Sequence, residues 1–176
     1  VKRARSIEWL LLALLCAILC PVAHADSVYL PLVGRYFFDR PMTWATVTYV
    51  WDGDTFDIDT DGDGLTDDRV RPIGIDTPEV SFGVECYGPE AKTRAKELLD
   101  GQRVALERDV SDRDDWDRLL RYVYLPHGQW INGTLVREGF ARVTIYPPDD
   151  RYSVALYALE DLAIAEGAGG WAACGW

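Results

Sequence analysis

The chain has 176 residues, enough for one ordinary domain with some length to spare. It carries 18 Lys and Arg against 29 Asp and Glu, a net charge of −11, which argues against holding nucleic acid by general electrostatic attraction. Beyond residue 25 it has a single histidine, His127, in the turn-like "LPHGQ", so serine–histidine catalysis and His/Cys zinc sites lack their groups.

Lys2, Arg3 and Arg5 open the chain, "WLLLALLCAILC" (9–20) follows as an apolar run, and "AHA" (23–25) fits a small-residue cleavage site. Residues 1–25 therefore read as a signal peptide, with a retained membrane anchor as the alternative. The apolar run, about a dozen residues, falls short of the roughly 20 that a membrane-spanning helix needs. Neither Cys16 nor Cys20 follows the Leu-small-small pattern of a lipoprotein signal. Cleavage after Ala25 leaves 15 basic and 28 acidic residues, a net charge of −13, and two cysteines, Cys86 and Cys174. Two cysteines in an exported chain predict one disulfide, two inert thiols being the alternative.

Residues 26–42, with Pro31 and Pro41 and no clear period, read as a leader to a domain covering 43–176. "TWATVTYVW" (43–51) alternates as a strand, placing Trp44, Thr46, Thr48 and Val50 on one face and Ala45, Val47, Tyr49 and Trp51 on the other. "TFDI" continues it, and 69–75, 102–110 and 118–125 are further strands rich in β-branched and aromatic residues. "GPEAKTRAKELLDG" (88–101) predicts a helix, with Pro89 in its first turn and Gly101 as its stop. A short helix follows over 132–139, capped by Asn132 and ended by Gly139, and Asn132-Gly133-Thr134 also spells a glycosylation acceptor. Over 153–167, Leu156, Leu159, Leu162 and Ala163 recur at helical spacing. Strands, a helix, strands, then two helices make an α+β order rather than alternating α/β.

With histidine chemistry excluded, hydrolysis must use carboxylates, arginines and a hard cation held by oxygen. Two segments supply such groups, "DGDT" (52–55) after the first strand and "RPIGIDTPE" (71–79) around another. On a curled sheet Asp54 and Asp76 converge at the rim, where Gly53 permits a bend and Pro78 stiffens the exit. Calcium takes roughly six to eight oxygens, so Asp54, Asp76 and the Thr77 carbonyl leave room for water and a phosphate.

"WDGDTFDI", "VRPIGIDTPE", "ECYGPEA", "DRLLRYVY", "NGTLVREGFARV" and "GGWAAC" resemble, in order, the successive motifs of the staphylococcal nuclease (thermonuclease) family, from about Thr43 to Trp176. The resemblance implies an OB-type five-stranded β-barrel with about three helices. It implies that Asp54, Asp76 and Thr77 hold Ca2+, that Glu79 activates or orients the attacking water, and that Arg71 and Arg118 contact phosphate. The expected activity is secreted, calcium-dependent hydrolysis of DNA, with RNA as a second candidate, by a monomer of little sequence preference.

Taken singly, Asp52 and Asp54 fit a turn, Asp76 to Glu79 fit a cap, and Arg118 fits a pair with Asp117 or Asp115; it is their joint order that fits the family. Pro72, where the family has an aliphatic residue, predicts an edge or bulge beside Arg71. Trp116 and Tyr146 stand for the family's two nucleotide-holding tyrosines, although "SDRDDWD" is more acidic than the corresponding family loop. In "DTDGDGLTDD" (59–68), Asp59, Asp61, Asp63 and Asp67 fall at positions 1, 3, 5 and 9 of an EF-hand-like loop whose position 12 is Val70. The spelling also resembles the aspartate loops of thrombospondin type 3 repeats. A second, structural calcium and a solvated hairpin tip are the two readings. Two other functions fit the same chain: a catalytically silent OB-fold binding module, and a calcium-ordered extracellular interaction domain.

Overall fold

A computed structural model describes residues 40–80 and 83–176, so the expected signal peptide and nearly all of the expected leader lie outside the described residues. In chain order the elements are β1 (Met42–Val50), β2 (Phe56–Asp59), β3 (Asp68–Pro72), β4 (Ile75–Asp76), α1 (Gly88–Leu99), β5 (Arg103–Glu107), β6 (Leu119–Tyr124), α2 (Ile131–Arg137), β7 (Arg142–Val143), α3 (Ser153–Glu166) and α4 (Gly170–Cys174). Strands β1-β2-β3-β6-β5 close into a barrel, while β4 and β7 form a separate two-stranded sheet. This is the expected OB-type α+β architecture, with four helices instead of three. Among the described residues no helix is long and apolar enough to cross a membrane.

The alternation read for β1 holds only as far as Val47. The register with β2 slips between Val47 and Tyr49, and such a bulge reverses the facing of everything after it. Ala45, Val47 and Val50 are therefore buried together, while Tyr49 and Trp51 emerge on the surface. The strand expected over 69–75 is two strands with a turn at Ile73 and Gly74. No bulge forms at Pro72. It is the last residue of β3, paired with Arg121 of β6, and the Ile73 N–H donates to the Arg121 carbonyl at 2.9 Å, so the missing donor costs no ladder bond.

The barrel closes through parallel pairing of β3 with β6, Val70 opposite Leu119 and Arg71 opposite Leu120. Val70 and Leu119 are buried. Arg71 in β3, and Arg118 just before β6, are therefore turned to the other face. Phe56, Ile58, Val70, Leu106 and Val123 fill the barrel, and Ile131, Leu135 and Leu156 cover its end.

Asn132 is neither a cap nor a glycosylation acceptor. It is fully buried inside α2, whose N-cap is Trp130. Its side chain accepts from the Val123 N–H at 2.9 Å and donates to the Ile73 carbonyl at 2.9 Å, joining β6 to the turn before β4. The expected disulfide is formed. Cys86, before α1, is bonded to Cys174 at the end of α4, 88 residues away.

Candidate active site

The loop from β1 to β2 is shaped by its own polar groups. The Trp51 N–H donates to the Thr55 carbonyl at 2.9 Å, and the Asp54 N–H donates to the Asp52 carboxylate at 3.1 Å. A Cβ at Gly53 would stand 2.6 Å from the Thr77 side chain. Only glycine lets this loop lie against the segment leaving β4. That approach brings Asp54, buried at 3% exposure, to Thr77, whose backbone N–H donates to its carboxylate at 2.6 Å.

Arg71 then joins the two predicted acidic residues. One guanidinium nitrogen is ion-paired with Asp54, and the other donates to Asp76 at 2.7 Å and to the Ile75 carbonyl at 3.2 Å. Two carboxylates from separate elements thus gather on one cationic group. The Asp54 and Asp76 oxygens are hard donors of the kind a calcium ion takes, and the Thr77 backbone lies beside Asp54, so the residues present fit such an ion.

Arg118 approaches from the position just before β6. Its Nη1 lies 3.4 Å from the Thr55 hydroxyl, which is itself 3.4 Å from the Asp54 carboxylate. The partner of Arg118 is Asp114, not Asp117 or Asp115. Asp114 accepts the Arg118 Nε–H at 2.7 Å and also the backbone N–H groups of Trp116 and Arg118 at 3.0 Å each. This clamp fixes the turn in which Asp117 adopts a left-handed backbone at φ 66°. Spacing offered a weak signal for it, since Asp114 and Arg118 are four residues apart, but competing aspartates at 115 and 117 obscured the choice.

Glu79 and Arg118 line one open groove of about 890 Å³, together with Asp52, Thr55, Trp51 and Trp116. Partial burial, reinforced by the carboxylates of Asp52, Asp76 and Glu85, pushes the Glu79 carboxyl up from its ordinary range, and Arg71 opposes the shift. Burial also pushes Asp52 up, against the fields of Arg71, Arg118 and Lys92. Asp52 is a site residue that sequence reasoning left as a turn former. Glu79 is held through its backbone: its N–H donates to the Glu85 carboxylate at 3.2 Å, and its carbonyl accepts from the Glu85 N–H at 2.9 Å. Cys86 follows directly, so the disulfide anchors the loop that carries Glu79.

The two expected nucleotide contacts differ in placement. Trp116 is 77% exposed, lies in the groove and carries the Arg118 guanidinium 5.3 Å from its ring centre. Tyr146, 72% exposed before Pro147, does not line that groove.

Carboxylate oxygens of Asp59, Asp61 and Asp67 lie within 4.8 Å of one another, whereas Asp63 is not part of this group. Asp63 accepts the Leu65 N–H at 2.8 Å. Asp59 accepts the N–H groups of Gly62 at 2.6 Å and Gly64 at 2.8 Å, and Asp67 accepts from Thr60. The loop is thus closed by turns of its own side chains onto its own backbone.

The family model of staphylococcal nuclease homologues matches residues 69–173. A thermonuclease of Staphylococcus intermedius is 43% identical over 113 residues, 62% of this chain and 65% of that protein. A thermonuclease of Staphylococcus hyicus is 39% identical over 109 residues, 60% of this chain and 62% of that protein. Endonuclease YncB of Bacillus subtilis strain 168 is 41% identical over 106 residues, 57% of this chain and 48% of that protein. The matched part of the chain spans less than two thirds of each of these relatives. The fold, the order of the motifs and the family match agree: this chain belongs to the staphylococcal nuclease family.

Proposed function

We propose that the chain is a calcium-dependent phosphodiesterase that hydrolyses nucleic acid, DNA with RNA as a second candidate, with little sequence preference. The observation that carries this reading is the meeting of Asp54 and Asp76 on Arg71 beside a groove lined by Glu79 and Arg118. Relatives named thermonuclease and endonuclease support it.

Asp54, Asp76 and the Thr77 carbonyl would hold the ion. When bound, calcium supplies a hard positive charge that stabilises negative charge building on the phosphoryl oxygens. Arg118, pinned by Asp114, donates to those oxygens, and its fixed orientation means little reorganisation as the charge develops. Arg71 adds a second guanidinium, whose forked donors suit phosphate as well as carboxylate. Glu79 takes a proton from the attacking water. The new P–O bond forms from that water as the bond to the leaving oxygen breaks; the leaving oxygen takes up a proton from solvent, and Glu79 returns the proton it accepted to solvent.

Replacement of Arg118 by Ala tests the assignment. A nuclease loses about 10²–10³ in kcat with its circular dichroism retained. A silent binding module or a calcium-ordered spacer has no turnover to lose, and an unchanged rate removes Arg118 from the mechanism. We take the protein to act as an exported monomer; the Cys86–Cys174 bridge supports export, because such bonds persist in oxidising compartments.

A further inference from the structure

The groove extends past the catalytic groups to a rigid aromatic structure that the proposed chemistry does not use. Trp51, 40% exposed, lines the same groove as Glu79 and Arg118. The Arg69 guanidinium lies over its indole, 4.4 Å from the ring centre. Asp57, in β2, holds both partners: it accepts the Trp51 Nε1–H at 2.8 Å and the Arg69 Nε–H at 2.7 Å. Tyr49 braces the indole edge-on, with ring centres 4.9 Å apart. The Asp57 side chain is only 8% exposed, whereas the Arg69 side chain remains 44% exposed.

These contacts define what the surface can take. Asp57 offsets the charge of Arg69, and Asp67 and Asp68 line the same groove. This end is therefore a poor phosphate clamp. An indole held in place by Asp57 and carrying a guanidinium is instead a good support for a planar ring, since little side-chain freedom is lost when something stacks on it. Carboxylate oxygens around it accept hydrogen bonds, and the ring N–H of thymine or the exocyclic amines of other bases donate them. A nucleotide meeting this surface turns its base inward and its phosphate toward Arg118 and the Asp54–Asp76 centre.

We propose that Trp51 and Arg69, held by Asp57, form a stacking subsite for one unpaired base of the nucleic acid, next to the phosphate that is cut. The subsite rests on the proposed function for its substrate class. It gives an acidic protein a grip on single strands that needs no basic surface, because every base has a ring face to stack. A duplex keeps its bases stacked within itself and cannot use the subsite without opening.

The test is binding of a fluorescent oligothymidylate, followed by anisotropy in chelator, where no turnover complicates the measurement. Trp51→Ala weakens binding about 10-fold or more, and Trp51→Phe, which keeps a ring, recovers most of the loss. Trp44→Ala is the matched control: Trp44 carries Arg103 at 4.9 Å in a similar stack but does not line the groove, and it binds as the wild type does. The wild type binds the oligothymidylate more tightly than a duplex of the same length. Equal affinity of Trp51→Ala and wild type, equal losses in Trp51→Ala and Trp44→Ala, or no binding by the wild type overturns the subsite. Binding without cleavage contradicts the proposed function alone, and cleavage that is indifferent to Trp51 contradicts the subsite alone.

Discussion

The carboxylates of Asp54, in the loop after β1, and Asp76, at the end of β4, meet on the single guanidinium of Arg71. The two are twenty-two residues apart in sequence. They are brought together because β3 leads directly into the turn before β4 and because Gly53 lets the first loop press against Thr77. A lysine keeps the charge but has no fork to span two carboxylates. Arg71→Lys is expected to lower kcat by about 10²-fold while the far-ultraviolet circular dichroism stays that of the wild type, measured with a single-stranded DNA substrate.

Calcium at the proposed centre should stabilise the fold, because the carboxylates that would hold it are assembled only in the native state. At a calcium concentration about 100 times Kd the gain is about 2.7 kcal/mol, seen as a rise in Tm of several degrees by calorimetry. Asp54→Asn should remove the part of this rise that belongs to the catalytic centre. A rise that survives Asp54→Asn and disappears in the Asp54→Asn, Asp61→Asn double variant reports an ion in the 59–67 loop, where Asp59, Asp61 and Asp67 converge. No rise in Asp54→Asn identifies that loop as a solvated hairpin tip.

Removal of the disulfide tests both stability and the anchoring of Glu79. The bridge closes a loop with a sequence separation of 88, so the chain-entropy model gives about 4–5 kcal/mol for its loss in the Cys86→Ser, Cys174→Ser double variant. Urea unfolding checks that figure. Because Cys86 follows Glu85, which is bonded to the Glu79 backbone, the double variant should also lose more in kcat than it gains in KM.

Salt dependence distinguishes this acidic chain from nucleases with a basic cleft. With Arg71 and Arg118 as the phosphate contacts, counterion release predicts a slope of log K against log salt of about −1.4 for single strands. Oligothymidylate titrations between about 50 and 200 mM salt measure it. A slope steeper than about −4 would reveal an extended basic footprint and contradict a grip dominated by stacking.

The barrel was legible in the sequence because its strands are rich in β-branched and aromatic residues, the first helix because Pro89 and Gly101 mark its ends, and the third because Leu156, Leu159 and Ala163 recur at helical spacing. The bulge in β1 was not, since one inserted residue changes the facing of Val50 and Tyr49 without changing composition. Asn132 misled for a related reason: its type suits a cap, but the tertiary bonds to Val123 and Ile73 put it inside the helix. Asp54, Asp76, Glu79, Arg118 and Trp116 come together around Arg71 and the groove, and Tyr146 does not line it. Asp114 was hidden among neighbouring aspartates, and the Trp51–Arg69–Asp57 stack depends on contacts between strands that no local pattern encodes. Helix α4 is five residues long, too short to show a period.

The most direct measurement is cleavage of DNA by the purified protein, first with calcium and then with excess chelator. The account predicts phosphodiester hydrolysis with calcium, its loss on chelation and its return when calcium is restored. Absence of cleavage in calcium, or cleavage unaffected by chelator, would contradict it.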